Sequence, residues 1–252
     1  MRDTPQTTIV VPCYNEQRRL PTAQFSGFAA SHPNVRFLFV NDGSTDDTGG
    51  VLKSLVASAP ASFELLELGV NRGKAEAVRA GMQQALGADA RYVGYWDADL
   101  ATPLSEIPRF VEALETTPAC DICFGSRVRL LGRSIERKRS RHYLGRLFAT
   151  VASYVLDLPV YDTQCGAKLF RSSPDVQALF SEQFSVNWTF DVEIIARVQA
   201  ARARRGDPGA CSSIYELPLN EWRDVAGSKV RARDFLKAML EMYRIYRRYR
   251  RG

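Results

Sequence analysis

Histidine is nearly missing from this chain: among 252 residues only His32 and His142 occur. That scarcity weighs against a Ser-His-Asp relay and against a histidine-rich metal centre. Cysteine is sparse and odd in number, with Cys13, Cys120, Cys123, Cys165 and Cys211 scattered along the sequence. Such a set predicts free thiols in a reducing compartment rather than a disulfide framework. Cys120 and Cys123 have CxxC spacing, but no second pair follows at zinc spacing, so a buried structural role in a strand is expected. No apolar h-region opens the chain, and the longest apolar stretch, Leu147 to Leu156, stops at Asp157, too short for a bilayer. The expectation is a cytoplasmic protein without an export signal or membrane span, resting at most on the cytoplasmic membrane face.

Glycine is missing where a dinucleotide-binding fold needs it. That fold places Gly-x-Gly-x-x-Gly after its first strand so that a pyrophosphate can approach the backbone. Here the first loop is Pro12-Cys13-Tyr14-Asn15-Glu16, which has none. A Walker-type loop is absent too, because Gly73-Lys74 lacks the upstream glycine and the following Ser or Thr.

What is present is an uneven charge. Residues 1–126 hold 10 Lys/Arg and 15 Asp/Glu, whereas residues 127–252 hold 24 and 13. The basic half calls for an anionic partner: phosphate, anionic lipid or nucleic acid. Short apolar runs alternate with helical segments in the first half. Strands are predicted at 8–11, 35–40, 63–68, 92–96 and 121–124, and helices at 20–30, 46–57, 74–86 and 104–115, with Ser44 ahead of Asp47 as a helix-start signal. Near-continuous apolar strands separated by helices indicate an α/β fold, a single mostly parallel sheet flanked by helices on both faces. The second half reads as a basic loop over 126–139, a helix over 140–156, a polar knot over 162–168, a helix over 190–204, a strand over 214–217 and a last helix over 233–250. We divide the chain into a domain of residues 1–230 and a basic amphipathic helix of residues 231–252.

In a parallel sheet, ligands gather beyond the carboxyl ends of the strands. Each strand end here carries unusual polar residues: Tyr14-Asn15-Glu16, Asn41-Asp42-Gly43-Ser44, Asn71-Arg72-Gly73-Lys74 and Asp97-Ala98-Asp99. Residues i and i+2 of an extended chain point to one side, so Asp97 and Asp99 can share a hard divalent cation and, through it, a diphosphate. Tyr14 suits base stacking, Asp42 can accept from a base N–H or a ribose hydroxyl, and Lys74 can meet phosphate as a point charge. Taken singly, Asp42 reads equally well as a helix-start residue and Lys74 as a solvated one.

These motifs, in this order, resemble those of family 2 glycosyltransferases of GT-A fold. Asp162-Thr163-Gln164-Cys165-Gly166-Ala167-Lys168-Leu169-Phe170 and Phe190-Asp191-Val192-Glu193 are most similar to the dolichyl- and polyprenyl-phosphate β-glucosyltransferase branch. The resemblance implies a nucleotide-sugar donor (UDP-glucose in the glucosyl branch), Mg²⁺ or Mn²⁺, and a lipid-phosphate acceptor. It implies that Pro12, Tyr14, Glu16, Asp42, Lys74 and Asp97 hold the nucleotide and that Asp97 and Asp99 hold the metal. Where some mannosyl relatives add a Gln ligand, this chain has Ala101.

A lipid-phosphate acceptor is already anionic and needs cations rather than a base. The basic loop carries Arg127, Arg129, Arg133, Arg137, Lys138, Arg139 and Arg141 against only Glu136. Arg127, at a strand end, resembles the family's acceptor-phosphate arginine, with Arg139 and Ser140 as further candidates. Asp191 has two readings, a general base for a hydroxyl acceptor or a helix N-terminal acid held by the helix dipole. Nucleic acid is disfavoured, because few aromatics interleave the basic cluster. The last helix mixes apolar, Tyr and Arg residues, and so fits either an anionic membrane surface or the protein core. GDP-mannose as donor, an aspartate-dependent phosphohydrolase and a non-catalytic nucleotide-binding protein remain as alternative functions.

Overall fold

The protein is described by a computed structural model that covers residues 6–136, 139–207, 212–225 and 232–249; side chains of 139–142 and 232–235 are not described. Five parallel strands form as the apolar runs demand: β1 (Thr7–Cys13), β2 (Val35–Asn41), β3 (Phe63–Glu67), β4 (Tyr92–Trp96) and β5 (Ile122–Ser126). Between them lie α1 (Thr22–Ser31), α2 (Thr48–Ser58), α3 (Lys74–Leu86) and α4 (Ile107–Thr116). Then follow β6 (Ser134–Glu136), α5 (Arg139–Leu156), β7 (Ala167–Arg171), α6 (Pro174–Leu179), α7 (Phe190–Arg205), β8 (Ile214–Pro218), β9 (Glu221–Arg223) and α8 (Ala232–Tyr249).

Seven strands make one sheet in the order β3-β2-β1-β4-β7-β5-β8, and β6 and β9 pair separately in parallel. All seven run parallel except β7, which lies antiparallel to both β4 and β5. Alternate residues of each strand serve opposite cores, as period 2 requires. Val10, Val93 and Tyr95 face α3, α5, α7 and α8, while Ile9, Val11, Tyr92 and Trp96 face α1, α2 and α4. Cys13, Cys120, Cys123 and Cys165 are free thiols buried in this packing.

Three expectations need correction. The polar knot runs straight into β7, which was not foreseen because Lys168 interrupts the apolar pattern. The stretch 126–139 is not wholly a loop, since Ser134–Glu136 pairs with Glu221–Arg223. Finally, α2 begins at Thr48 rather than Asp46; the Ser44 hydroxyl accepts the Asn15 N–H across two loops at 3.0 Å and does not cap the helix.

The last helix has two faces. Ala238, Glu241, Met242 and Ile245 are buried, and α8 packs on α5 and α7. Its outer face leaves Leu236, Leu240 and Tyr243 exposed, and the adjoining α5 leaves Tyr143, Leu144, Leu147 and Tyr154 exposed.

Inserting β7 requires a close approach to β4. A Cβ on Gly94 would lie 2.2 Å from the Lys168 carbonyl oxygen. Gly94→Ala is therefore expected to destabilise the protein by about 2 kcal/mol or more, read as a lower urea midpoint.

Candidate active site

The carboxyl ends of β1, β2 and β4 and the start of α3 enclose a cavity of about 450 Å³. Pro12, Tyr14, Glu16, Asp42, Lys74, Asp97 and Asp99 all line it, together with Arg19, Asn71 and Gly73. All six residues named for the nucleotide thus share one concave surface.

Local chemistry fixes each position. Asn15, in the left-handed region at φ 55°, accepts the Thr45 N–H at 2.8 Å, and the Thr48 hydroxyl accepts the Glu16 N–H at 2.8 Å. Those bonds stitch the first loop to the second. Gly43, at φ +61°, lies so close to the Val70–Asn71 backbone that any Cβ would clash there. Its neighbour Asp42 is thereby aimed at the third loop, accepting from the N–H groups of Arg72 and Gly73 at 2.7 and 2.8 Å. Burial raises the Asp42 carboxyl above its usual range, although those two N–H groups lower it.

Asp97 pairs with Lys74 at 2.5 Å, and its N–H donates to the Gly166 carbonyl at 3.0 Å. Asp99 accepts the Ala101 N–H at 3.1 Å. Ala101 therefore serves Asp99 through its backbone. Burial, and next the negative charge of Asp97, hold the Asp99 carboxyl above the usual range. Desolvation would lower Lys74, but the charges of Asp97, Asp191 and Asp99 hold it above the ordinary lysine value.

This donor set suits a hard divalent cation: two oxygen-only groups with incompletely balanced charge at a cavity wall. Among the described residues no cluster of three or more His, Cys, Asp or Glu forms, so further coordination would come from ligand oxygens and water.

Two sequence-predicted residues stand outside the cavity lining. Asp191, buried near the start of α7, has both the Lys168 ammonium and the Tyr95 hydroxyl on its Oδ1 at 2.5 Å. Arg127, at the end of β5, grips Asp162 with Nε at 2.6 Å and a terminal nitrogen at 2.7 Å, and lies over the Trp222 ring at 5.3 Å. Its guanidinium is thus oriented and largely charge-balanced. Arg139 and Ser140 begin α5, but their side chains lie outside the described residues. Sequence reasoning missed Arg19, which pairs with Glu16 at 2.5 Å, and missed Tyr95, Gly166 and Lys168 as groups around Asp97. Burial at Cys165, beside them, pushes its thiol up to about 11, so it is protonated at neutral pH.

The model of the family described as glycosyl transferase family 2 matches residues 8–177. The chain belongs to that family. It is 30% identical over 258 residues to a dolichyl-phosphate beta-glucosyltransferase of Trichomonas vaginalis, covering 98% of this chain and 72% of that one. It is also 30% identical to the dolichyl-phosphate beta-glucosyltransferase of Saccharomyces cerevisiae, covering 88% of this chain and 68% of the yeast one. Among solved structures, a mannosyltransferase from Pyrobaculum calidifontis in complex with GDP-Man and Mn²⁺ superposes with a TM-score of 0.65 at 15% identity, over 99% of this chain and 65% of that one. Glucosyl-3-phosphoglycerate synthase from Mycobacterium tuberculosis, with Mn²⁺ and UDP-glucose, gives 0.61 at 17% identity over 93% and 76%. This family 2 glycosyltransferase therefore has the GT-A fold.

Two predictions test the geometry. A Cβ on Gly166 would sit 1.9 Å from Asp97 Oδ2. Gly166→Ala should displace that carboxylate and lower turnover by about 100-fold, measured by single-turnover kinetics. Because the folded state disfavours ionised Asp99, Asp99→Asn should raise the melting temperature of the ligand-free protein at pH 7. That gain should shrink as pH falls and vanish below the ordinary carboxylate range, where Asp99 is protonated in both states.

Proposed function

We propose that this glycosyltransferase moves glucose from UDP-glucose to a dolichyl or polyprenyl phosphate, inverting the anomeric carbon, at the cytoplasmic face of a membrane. The observation that carries the reading is the cavity in which an aromatic ring (Tyr14), a buried acceptor (Asp42) and an ammonium (Lys74) surround Asp97 and Asp99. The likeness to dolichyl-phosphate beta-glucosyltransferases over most of the chain supports the acceptor class and the sugar.

In this mechanism Tyr14 stacks on the base and Asp42 accepts from the nucleoside. Lys74 turns from Asp97 toward the diphosphate, supplying a point charge. Asp97 and Asp99 would hold Mg²⁺ or Mn²⁺, which when bound neutralises the charge of the departing diphosphate. A phosphate monoester is largely dianionic at neutral pH, so its oxygen attacks the anomeric carbon without a base. A carbon–oxygen bond forms to the acceptor as the bond to the diphosphate breaks, and the electron pair leaves with UDP. Arg127 orients the acceptor phosphate, which must share the guanidinium with Asp162. The engagement of Asp191 Oδ1 by Lys168 and Tyr95 supports a reading in which Asp191 takes no proton.

The acceptor's lipid tail calls for membrane contact. No helix among the described residues is long and apolar enough to cross a membrane. A peripheral contact is supported by the exposed apolar residues of α5 and α8 together with the basic residues of 126–139 and 231–252.

The deciding assay incubates the purified protein with UDP-glucose, Mn²⁺ and a detergent-dispersed polyprenyl phosphate and seeks a glucosylated lipid by mass. Product is expected, and Asp97→Asn should reduce it by about 100-fold or more. Product formed only from GDP-mannose, or only on a hydroxyl acceptor, would contradict the donor or the acceptor named here. For the membrane contact, Leu240→Glu combined with Tyr243→Glu should weaken binding to anionic vesicles about tenfold at an unchanged melting temperature. Unchanged vesicle binding would remove α8 from that role.

A further inference from the structure

Lys168 lies in β7, an interior strand of the sheet, and is fully buried, whereas Arg171, the other charged residue of that strand, sits half-buried at its end. An ammonium taken out of water is unfavourable unless paired and hydrogen-bonded, and well-packed apolar residues serve a fold equally well in its place. The fold alone therefore gives no reason for a lysine here. Its contacts do give one. The ammonium donates to the Cys165 carbonyl at 2.6 Å, pairs with Asp191 at 2.5 Å, and lies 4.9 Å from the Phe124 ring centre.

Both partners lead to Asp97. Cys165 is joined to Gly166, whose carbonyl accepts the Asp97 N–H and whose Cα packs directly on the Asp97 carboxylate. Asp191 Oδ1 also accepts the hydroxyl of Tyr95, two residues before Asp97 on β4. The start of α7, which carries Asp191, is itself fixed from α8. The buried Glu241 carboxylate accepts the N–H groups of Asn187, Trp188 and Thr189 at 3.3, 2.9 and 2.9 Å. One lysine of β7 is thus linked through Asp191 to α7 and to Tyr95 of β4, and through the Cys165 carbonyl to the peptide that packs on Asp97.

We propose that Lys168 is a positioning residue for the donor site, holding Asp97 in place through the Cys165–Gly166 peptide and through Asp191 and Tyr95. The proposal rests on reading the cavity as a nucleotide-sugar site. Lys168 reaches no solvent and so touches no substrate; it acts through the residues it holds.

The test is a double variant, Lys168→Met with Asp191→Asn, which leaves no unpaired buried charge. Its melting temperature, its UDP dissociation constant by calorimetry, and its kcat and KM for UDP-glucose are measured beside the wild type. The expected result is a melting temperature close to that of the wild type, a UDP affinity lowered about tenfold, and a kcat lowered at least as much. A folded double variant with wild-type UDP affinity and kcat would overturn the proposal. If the double variant does not fold, Tyr95→Phe, which removes only one hydroxyl, decides. A threefold or larger loss of UDP affinity supports the proposal, and a change within twofold overturns it. Failure of the wild type itself to bind UDP would instead overturn the nucleotide reading, and the proposal with it.

Discussion

Because β7 runs against its neighbours, its first residues, not its last, emerge at the edge of the sheet where β4 and β5 end. A parallel strand in that place would deliver its polar knot to the opposite edge, far from Asp97. Antiparallel insertion puts Asp162, Cys165, Gly166 and Lys168 beside the ends of both neighbours at once. Asp162 then meets Arg127 just past β5, and Gly166 meets Asp97 just past β4. The donor-side and acceptor-side candidates are thus organised by a single short segment. The close approach of Gly94 to the Lys168 carbonyl is the steric condition that permits it.

Charge at this edge is set against the stability of the empty protein. Asp42 and Asp99 are both held above the usual carboxylate range, chiefly by burial. A site that waits for a cationic or hydrogen-bonding ligand carries such groups at some energetic cost, which binding relieves. Lys74 offsets part of it by pairing with Asp97. The deeper pair of Lys168 and Asp191 is different in kind. It is sealed from water and bonded on several sides, so it works as a fixed joint.

Much of this was legible in the residues. The strands and helices of the first half announced themselves because apolar runs such as Val35-Arg36-Phe37-Leu38-Phe39-Val40 are bounded by turn residues, and the polar strand ends followed from the rule for parallel sheets. Local pattern could not reveal β7, because its lysine, Lys168, looks solvated until its partner on α7 is known. Ser44 misled for a similar reason: its hydroxyl serves a loop 29 residues away. The two-sided character of α8 was visible as amphipathicity, but only packing tells which face is buried. Glu241, on the buried face, would pass for a surface residue in any one-dimensional reading. Likewise Arg127 reads as a free cation in sequence, and its pairing with Asp162 comes from the fold.

The most direct test is a crystal structure of the protein grown with UDP and Mn²⁺. The expected map has the diphosphate against Asp97, Asp99 and Lys74, the base beside Tyr14, and the nucleoside on Asp42, with Lys168 and Asp191 unmoved beneath. Nucleotide density at any other place on the molecule, or a clear map with the cavity empty at millimolar UDP, would contradict it.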